Sequence, residues 1–476
     1  MKNQIFLIAQ KELNDVARQN SLKILFVIIT ALLGFSLYAG FIVYKQQLTI
    51  LKTAQDEKRA EWLDQGDKHP HIAAHYGTFV FKPKTLLSLF DFGLDSYTGT
   101  SVYLEAHYPH EFMFRPVQGY GNMIRFGELS AALVLQLLLP LLILFITFQT
   151  FTKEKETGTL KLLLSQGVTL RSVYLGKLLA YSLIFLMITV PFFIGLYILG
   201  VLGNTRAVLS DLGLRIILLF FIYTLYLVAF TNFSIWISFK SSSARNALLT
   251  LLIFWIGTGI ILPKTSANLG ETLYPLSSIK KFKEEIQNDI KNGMTADESK
   301  EKRLAQLKAR YLQKYQVDSI SQLPLNFQGI RMQEGEEYAN KVNDFHNAIL
   351  DERFEHQNKV GSLTSFIAPY IAVRNLSMAL AATDGYSFND FKEKTETYRR
   401  HLIRTMNKDM AENSHFGEFY EYKVGRNLWK TISDFRYSTP AVTQLFQYYW
   451  MEFASLSLWV LAIFILIPSS NKNKIL

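Results

Sequence analysis

FTKEKETGTLKLLLSQGVTLRSVYLGK, residues 151–177, is a charged amphipathic insert between two apolar stretches, residues 129–151 and 173–202. Each stretch supplies roughly the ~20 residues needed to cross a ~30 Å hydrocarbon core. Lys153-Glu154-Lys155-Glu156 follows the first stretch directly, and Thr157-Gly158-Thr159 breaks the pattern before Leu160, Leu162, Leu163 and Leu164. Glycine costs a helix on the order of 1 kcal/mol relative to alanine. Gly158 therefore predicts a bend or a helix start, with Thr157 or Thr159 as the cap. Gly167 permits a turn, and residues 169–177 lead back into the membrane. The pattern predicts a short helix across the mouth between two spans, its leucines suited either to docking on another protein or to packing on the bundle.

Working outward, residues 21–44, 212–239, 247–263 and 448–468 are apolar stretches of similar length, giving six candidate spans with 129–151 and 173–202. Backbone polar groups must be satisfied within each segment, so the spans are expected to be helical, with Pro140 and Pro191 accommodated as kinks. Basic residues near the spans set the orientation. Lys2, Lys11, Arg18 and Lys23 lie in the N-terminal segment, and Lys153, Lys155, Lys161, Arg171 and Lys177 in the insert. Lys240 and Arg245 lie in the next short link, and Lys472 and Lys474 in the tail. Six spans place all four segments, and both termini, on the cytoplasmic side, and residues 45–128 and 264–447 outside. The expected fold is a mainly α integral membrane protein with two extracytoplasmic insertions, mostly helical with minor β structure. Residues 1–20 alternate apolar and charged positions as a helix in the membrane interface does.

A net charge of +10 with 49% hydrophobic residues fits a membrane protein with soluble parts and calls for no nucleic-acid partner. The absence of cysteine excludes disulfides, thiolate metal sites and cysteine nucleophiles. The first apolar run starts too late, and is too long, for a cleaved signal peptide, so it is expected to remain as the first span.

Glu154, Glu156, Gly158, Thr159, Leu160, Leu163, Leu164 and Ser165, followed by Gly176-Lys177, resemble the E-x-E-x-G-T-L-x-x-L-L-S…G-K pattern of type-2 ABC exporter permeases. Lys11-Glu12-Leu13 with Arg18 resembles the connecting helix of that family. HPHIAAHYGTFVFKP (69–83), DSYTGTSVYLEAHYP (95–109) and RFGELSAALVLQLLLPLLI (125–143) resemble a bacterial branch with large extracytoplasmic regions under a domain-of-unknown-function label. The resemblance implies an exporter permease of the bacterial cytoplasmic membrane, paired with a second copy or homologue and driven by separate ABC ATPase subunits. By it the insert is the coupling helix (residues 152–172). Glu154 and Glu156 are then polar contacts to the ATPase, Gly158 and Thr159 form the turn, and Leu160, Leu163 and Leu164 pack in its groove or on the spans. The chain has no G-x-x-x-x-G-K-[ST] phosphate loop, since Leu178 follows Lys177, so ATP and Mg are expected on the partner, with no cofactor in this chain. The alternative reading is a transmitter of ATPase strokes to an extracytoplasmic maturation or assembly protein, with nothing crossing the spans.

In the insertions, residues 46–65 read as a helical extension of the first span, and 77–81 and 101–108 as short strands. Residues 278–315, 334–360 and 388–413 read as charged helices, broken near Asn292-Gly293 and Leu323-Pro324. All nine histidines fall in these regions. His69, His71 and His75 are close enough to suggest a zinc or copper site, although Pro70 argues against one regular helical face. His110-Glu111 is no metalloprotease motif, because position 114 is Phe. Lys177, Arg215 and Glu452 are expected to snorkel to an interface. Tyr223, Thr224, Tyr226, Asn232 and Ser234 either line a polar path or join helices.

Overall fold

The computed structural model describes residues 2–99, 101–106, 112–113, 130–203, 211–418 and 421–468. His107, His110, Glu111, Phe114, residues 125–129 and the basic tail lie outside them.

Helix α1 (Lys2–Arg18) breaks at extended Gln19, and α2 (Asn20–Leu63) then runs for 44 residues. Its first half is apolar, and its polar second half continues as the predicted extension. Its far end is tied down by Trp62, whose indole Nε1 donates to the Trp429 carbonyl (3.0 Å). Arg59 adds a bond to the Ile432 carbonyl (2.7 Å) and a salt bridge to Asp434 (3.1 Å).

The first insertion follows with α3 (Pro70–Tyr76), β1 (Thr78–Phe81), α4 (Leu87–Phe90), α5 (Asp95–Thr98), β2 (Ser101–Leu104) and β3 (Phe112–Met113). The three strands form an antiparallel sheet in the order β1-β2-β3, with Thr78 opposite Leu104 and Ser101 opposite Met113. Both predicted strands are present.

The second span is α6 (Ala131–Leu133), a π-helical turn (Val134–Leu138) and α7 (Leu139–Thr147). Short helices α8 (Thr152–Glu156) and α9 (Thr159–Ser165) lead into α10 (Leu170–Leu202), which carries Pro191 inside it, and α11 (Leu212–Lys240) follows. Next come α12 (Ala244–Ile256), a second π turn (Gly257–Ile261) and α13 (Leu262–Leu273) as one apolar rod. The fifth span therefore extends past residue 263. Pro263 directly follows the π turn, a local adjustment of the kind by which a membrane helix accommodates an interior proline.

The second insertion is built from α14 (Ile279–Asn292), α15 (Lys300–Tyr315), α16 (Phe327–Thr364), α17 (Pro369–Ala381), α18 (Gly385–Asn413) and α19 (Arg426–Thr431). Gly293 ends α14 at φ 91°, where a break was expected. The last span is bent by 77° between α20 (Val442–Tyr448) and α21 (Trp450–Leu466), so only the 17 residues of α21 form its straight part.

One boundary is corrected. Residues 264–447 do not lie wholly outside the bundle, because Val373, Leu376, Ala379, Leu380 and Ala381 of α17 are buried in the same core as α7, α10 and α11. At 13 residues α17 is too short to cross a bilayer, so length-based reading assigns it to the surrounding polar helices.

The intramembrane charges are also corrected. Lys177 and Arg215 are each 1% exposed and Glu452 2%, and each is held by internal partners instead of reaching an interface. Glu452 accepts from Ser362 (2.6 Å) and Asn375 (3.0 Å). The polar residues of α11 mostly join helices. Gln136 donates to Tyr223 (2.8 Å), Tyr226 donates to the Gln136 carbonyl (3.0 Å), and Tyr174 donates to Asn232 Oδ1 (3.0 Å). Ser234 pairs with Thr147, whereas the Thr224 hydroxyl has no partner among the described residues.

Candidate functional site

The chain leaves α7 through a turn fixed by Phe151, whose N–H donates to Ser238 Oγ (3.0 Å) and whose ring lies 5.9 Å from that of Tyr174. One turn of α8 follows. Gly158 then takes the left-handed conformation (φ 74°), which glycine adopts without the penalty of a Cβ, and ends α8 while starting α9. The predicted break is therefore in place, but neither threonine caps α9. Thr157 Oγ1 donates to the Lys153 carbonyl (2.9 Å) and Thr159 Oγ1 to that of Glu154 (3.3 Å), both bonds that close α8.

The leucines divide by depth. Leu160 is 3% exposed and anchors α9 in the bundle, and Leu164 packs on the same core, with Leu163 half-buried. Leu162 is 58% exposed, beside exposed Lys161, Ser165 and Gln166. The outward face of α9 is thus Leu162 with polar neighbours, a residue the motif leaves as "x".

The two glutamates divide in the same way. Glu156 is exposed and accepts from the Ala244 N–H (3.3 Å), tying α8 to the start of α12. Glu154 points inward at 8% exposure, so it offers no outward polar contact. Successive helical positions are about 100° apart, and the Lys-Glu-Lys-Glu run cannot place both glutamates on one face.

Glu154 belongs to a buried ionic cluster. Lys177 Nζ donates to Glu12 Oε1 (2.8 Å), Glu154 Oε1 (3.0 Å) and the Thr150 carbonyl (3.1 Å), which uses all three ammonium hydrogens. Glu12 Oε2 accepts from Tyr181 (2.7 Å), and Lys11 bridges Glu154 (3.1 Å) and Glu12 (3.0 Å). Two lysines and two glutamates balance, as buried charges require. Burial pushes the Glu12 carboxyl up, but Lys177, Lys11 and the Tyr181 hydroxyl outweigh it and hold the group below its ordinary value. Glu12 is therefore ionised at neutral pH. Glu154 Oε2 has no partner among the described residues. The cluster latches three segments distant in sequence, namely α1, α8 and α10, directly behind α9.

Gly176 allows the latch to close. A Cβ there would lie 2.7 Å from Ile8 Cβ and 3.0 Å from the Ile5 carbonyl, so α1 rests on bare backbone of α10. Gly176→Val is expected to prise α1 away at a cost of about 1–3 kcal/mol, the usual range for overpacking. Limited trypsin digestion of the purified protein should then cut after Lys11 and Arg18 at least tenfold faster. An unchanged cleavage rate would refute the close contact.

His69 caps α3, its Nδ1 accepting from the His71 N–H (3.2 Å), and Pro70 occupies the first helical position. Pro70 thus starts a helix here instead of preventing one, and His71 and His75 share a face with Nε2 atoms 3.0 Å apart. No group of three or more His, Asp or Glu side chains is arranged to hold a metal among the described residues.

A multi-pass helical bundle with a short helical insert turned across one end is an arrangement consistent with a membrane permease, and the family comparison gives its class. Residues 113–259 match the family model described as ABC-2 family transporter protein, and residues 281–438 match Domain of unknown function (DUF3526). Over those residues the chain is similar to the ABC-2 transporter permeases, with a DUF3526 domain in addition. No curated protein matches it. The DUF3526 match includes α17, so that domain contributes a helix to the core of the bundle. The cluster itself escaped sequence reading, although one signal was present: Lys177 is an ionisable residue inside an apolar run, where a charge demands a partner.

Proposed function

We propose that this chain is the transmembrane half of an ATP-driven exporter, coupling hydrolysis by separate ABC ATPase subunits to movement of a substrate through or out of the membrane. ATP and Mg reside on those subunits, and a second permease copy or homologue completes the path. The insert end and both termini face the cytoplasm of a bacterial cell across its inner membrane, and the two insertions face outward. The observation that carries this reading is α9: Leu162 is exposed at its surface, Leu160 is rooted in the core, and the ionic latch lies behind. A push on such a helix passes to α1 and α10 because the charges that join them cannot be separated cheaply. Glu156, Gly158, Thr159, Leu163 and Leu164 shape the docking face, and Glu154 transmits from within.

The test is co-purification with the ATPase. Leu162→Glu, which leaves the core untouched, is expected to reduce ATPase recovered with the permease at least tenfold while membrane insertion is unchanged. Leu160→Ala is expected instead to destabilise the permease by about 2–5 kcal/mol. Undiminished recovery with Leu162→Glu would refute docking through α9.

A second reading is supported by α2, which runs unbroken from the end of α1, the helix that carries Lys11 and Glu12, to the Trp62–Trp429 contact, with ring centroids 5.8 Å apart. Such a helix suits transmission of ATPase strokes to an extracytoplasmic protein without passage. Substrate accumulation in reconstituted vesicles supports export, whereas ATPase stimulation by an outer protein without flux supports transmission.

A further inference from the structure

At the end of the bundle farthest from α9, a cavity of about 320 Å³ opens between the loop after α4, the π turn of the second span and α17. That is at the lower end of the ~300–1,000 Å³ typical of small-molecule sites. Its polar wall is built around Asp91, which is 7% exposed. Ser377 Oγ donates to Asp91 Oδ2 (2.6 Å) and the Gly93 N–H to Oδ1 (3.2 Å). With the Ser377 hydrogen so committed, Tyr223 must donate to Ser377 (2.9 Å) and Gln136 to Tyr223 (2.8 Å), so the chain of donors runs in one direction and ends on Asp91. Gln136 sits in the π turn, a feature frequent at functional sites.

Across the same cavity stands Arg374 of α17. Among the described residues its only hydrogen bond is from Nη2 to the adjacent Asn375 (3.3 Å), its buried Nε has no partner, and no carboxylate lies within ion-pair distance. Asn375 itself is committed to Glu452 (3.0 Å). A half-buried guanidinium with no direct ion pair among the described residues, facing Asp91 only across a cavity, leaves room for a ligand anion to pair with it. Apolar Phe92, Leu133 and Met378 line the remainder, and Tyr97, 55% exposed, stands at the rim.

We propose that this cavity binds the phosphate headgroup of an anionic amphiphile, with Arg374 pairing the phosphate, Phe92, Leu133 and Met378 holding the adjoining carbons, and Tyr97 marking the way out. The volume holds a headgroup but not acyl chains, which leave along the bundle surface. The charged or titratable groups that face Asp91 are Arg374 and Tyr370 of α17 and Tyr223 of α11. Burial pushes the Asp91 carboxyl up to about 6, against the opposing pull of Ser377, Gly93 and Arg374. Asp91 is therefore largely neutral at pH 5 and ionised at pH 7.5, where it repels an anion.

Purified full-length chain, titrated with phosphatidylglycerol or phosphatidylcholine and read by native mass spectrometry, tests the site without involving ATP turnover. Phosphatidylglycerol should bind at least tenfold more tightly than phosphatidylcholine. Because its phosphodiester keeps one charge across the range, its affinity should rise severalfold from pH 7.5 to pH 5, a rise that Asp91→Asn abolishes. Arg374→Gln and, independently, the cavity-filling Met378→Trp should each weaken binding at least tenfold. Competition by free glycerol phosphate would support recognition of the soluble headgroup, and its failure to compete would support the bilayer lipid as the source. Equal affinity for the two lipids, or wild-type binding by either folded variant, would overturn the proposal.

Discussion

Lys177→Met is expected to destabilise the protein by about 3–5 kcal/mol, because it leaves two buried carboxylates facing each other with only Lys11 to compensate them. Lys11 has a side chain 53% exposed and reaches the cluster from its solvent edge, so it cannot replace three internal hydrogen bonds. The measurement is thermal unfolding of detergent-purified protein, followed by loss of the monodisperse peak. A paired substitution separates charge from shape. Adding Glu154→Gln and Glu12→Gln to Lys177→Met removes the stranded charges and should recover most of the stability, since apolar or neutral replacement of a whole buried ionic group is often close to neutral. Recovery of stability without recovery of ATPase coupling would identify the cluster as a transmission element. A single Lys177→Met variant that melts with the wild type would show that the cluster carries no structural load.

Arg215→Met should have an effect of similar size at the opposite end of the bundle. Arg215 Nε is paired with Asp211 (2.7 Å), Nη1 donates to the Leu380 carbonyl (3.1 Å), and Nη2 donates to that of Pro440. Those carbonyls belong to the last turn of α17 and to the approach to α20, so one guanidinium fastens both to α11. Removing it strands a carboxylate and buried carbonyls, and each unsatisfied group costs about 1–3 kcal/mol. Arg215→Lys should recover only part of the loss, because an ammonium lacks the planar fork that serves three directions. The chain contains no cysteine, so Ala381→Cys gives a single reporter, inaccessible at 0% exposure. Maleimide labelling of Ala381→Cys should be negligible alone and rapid when combined with Arg215→Met. Slow labelling in both would show that α17 is held by packing without the arginine.

Hydropathy made most of the bundle legible, because a long run of apolar side chains admits few other folds. Gly158 was legible as a break, since a left-handed residue between two helical turns leaves a glycine in the sequence. Asn292-Gly293 likewise marked the end of α14. What stayed hidden depends on contacts between distant residues. Lys177 and Glu12 are 165 positions apart, and nothing local to either names the other. The orientation of Glu154 was misread because a Lys-Glu-Lys-Glu run looks solvated, whereas helical phase turns one glutamate inward and leaves Glu156 at the surface. Helix α17 was missed because its apolar stretch is short and flanked by polar helices, so only tertiary packing reveals that it belongs to the core.

The length of α2 has a mechanical consequence. At 1.5 Å per residue, its 44 residues span about 66 Å, roughly twice the thickness of a bilayer core. Its N-terminal end follows α1, the helix that carries Lys11 and Glu12 of the latch, and its far end is pinned by Trp62 to the DUF3526 region. Pivoting about its foot by about 5°, a stiff helix of that length sweeps its tip through about 6 Å. In the transmitting role proposed above, the helix would act as a lever whose tip, at Trp62, moves farther than one helical turn for a tilt of a few degrees.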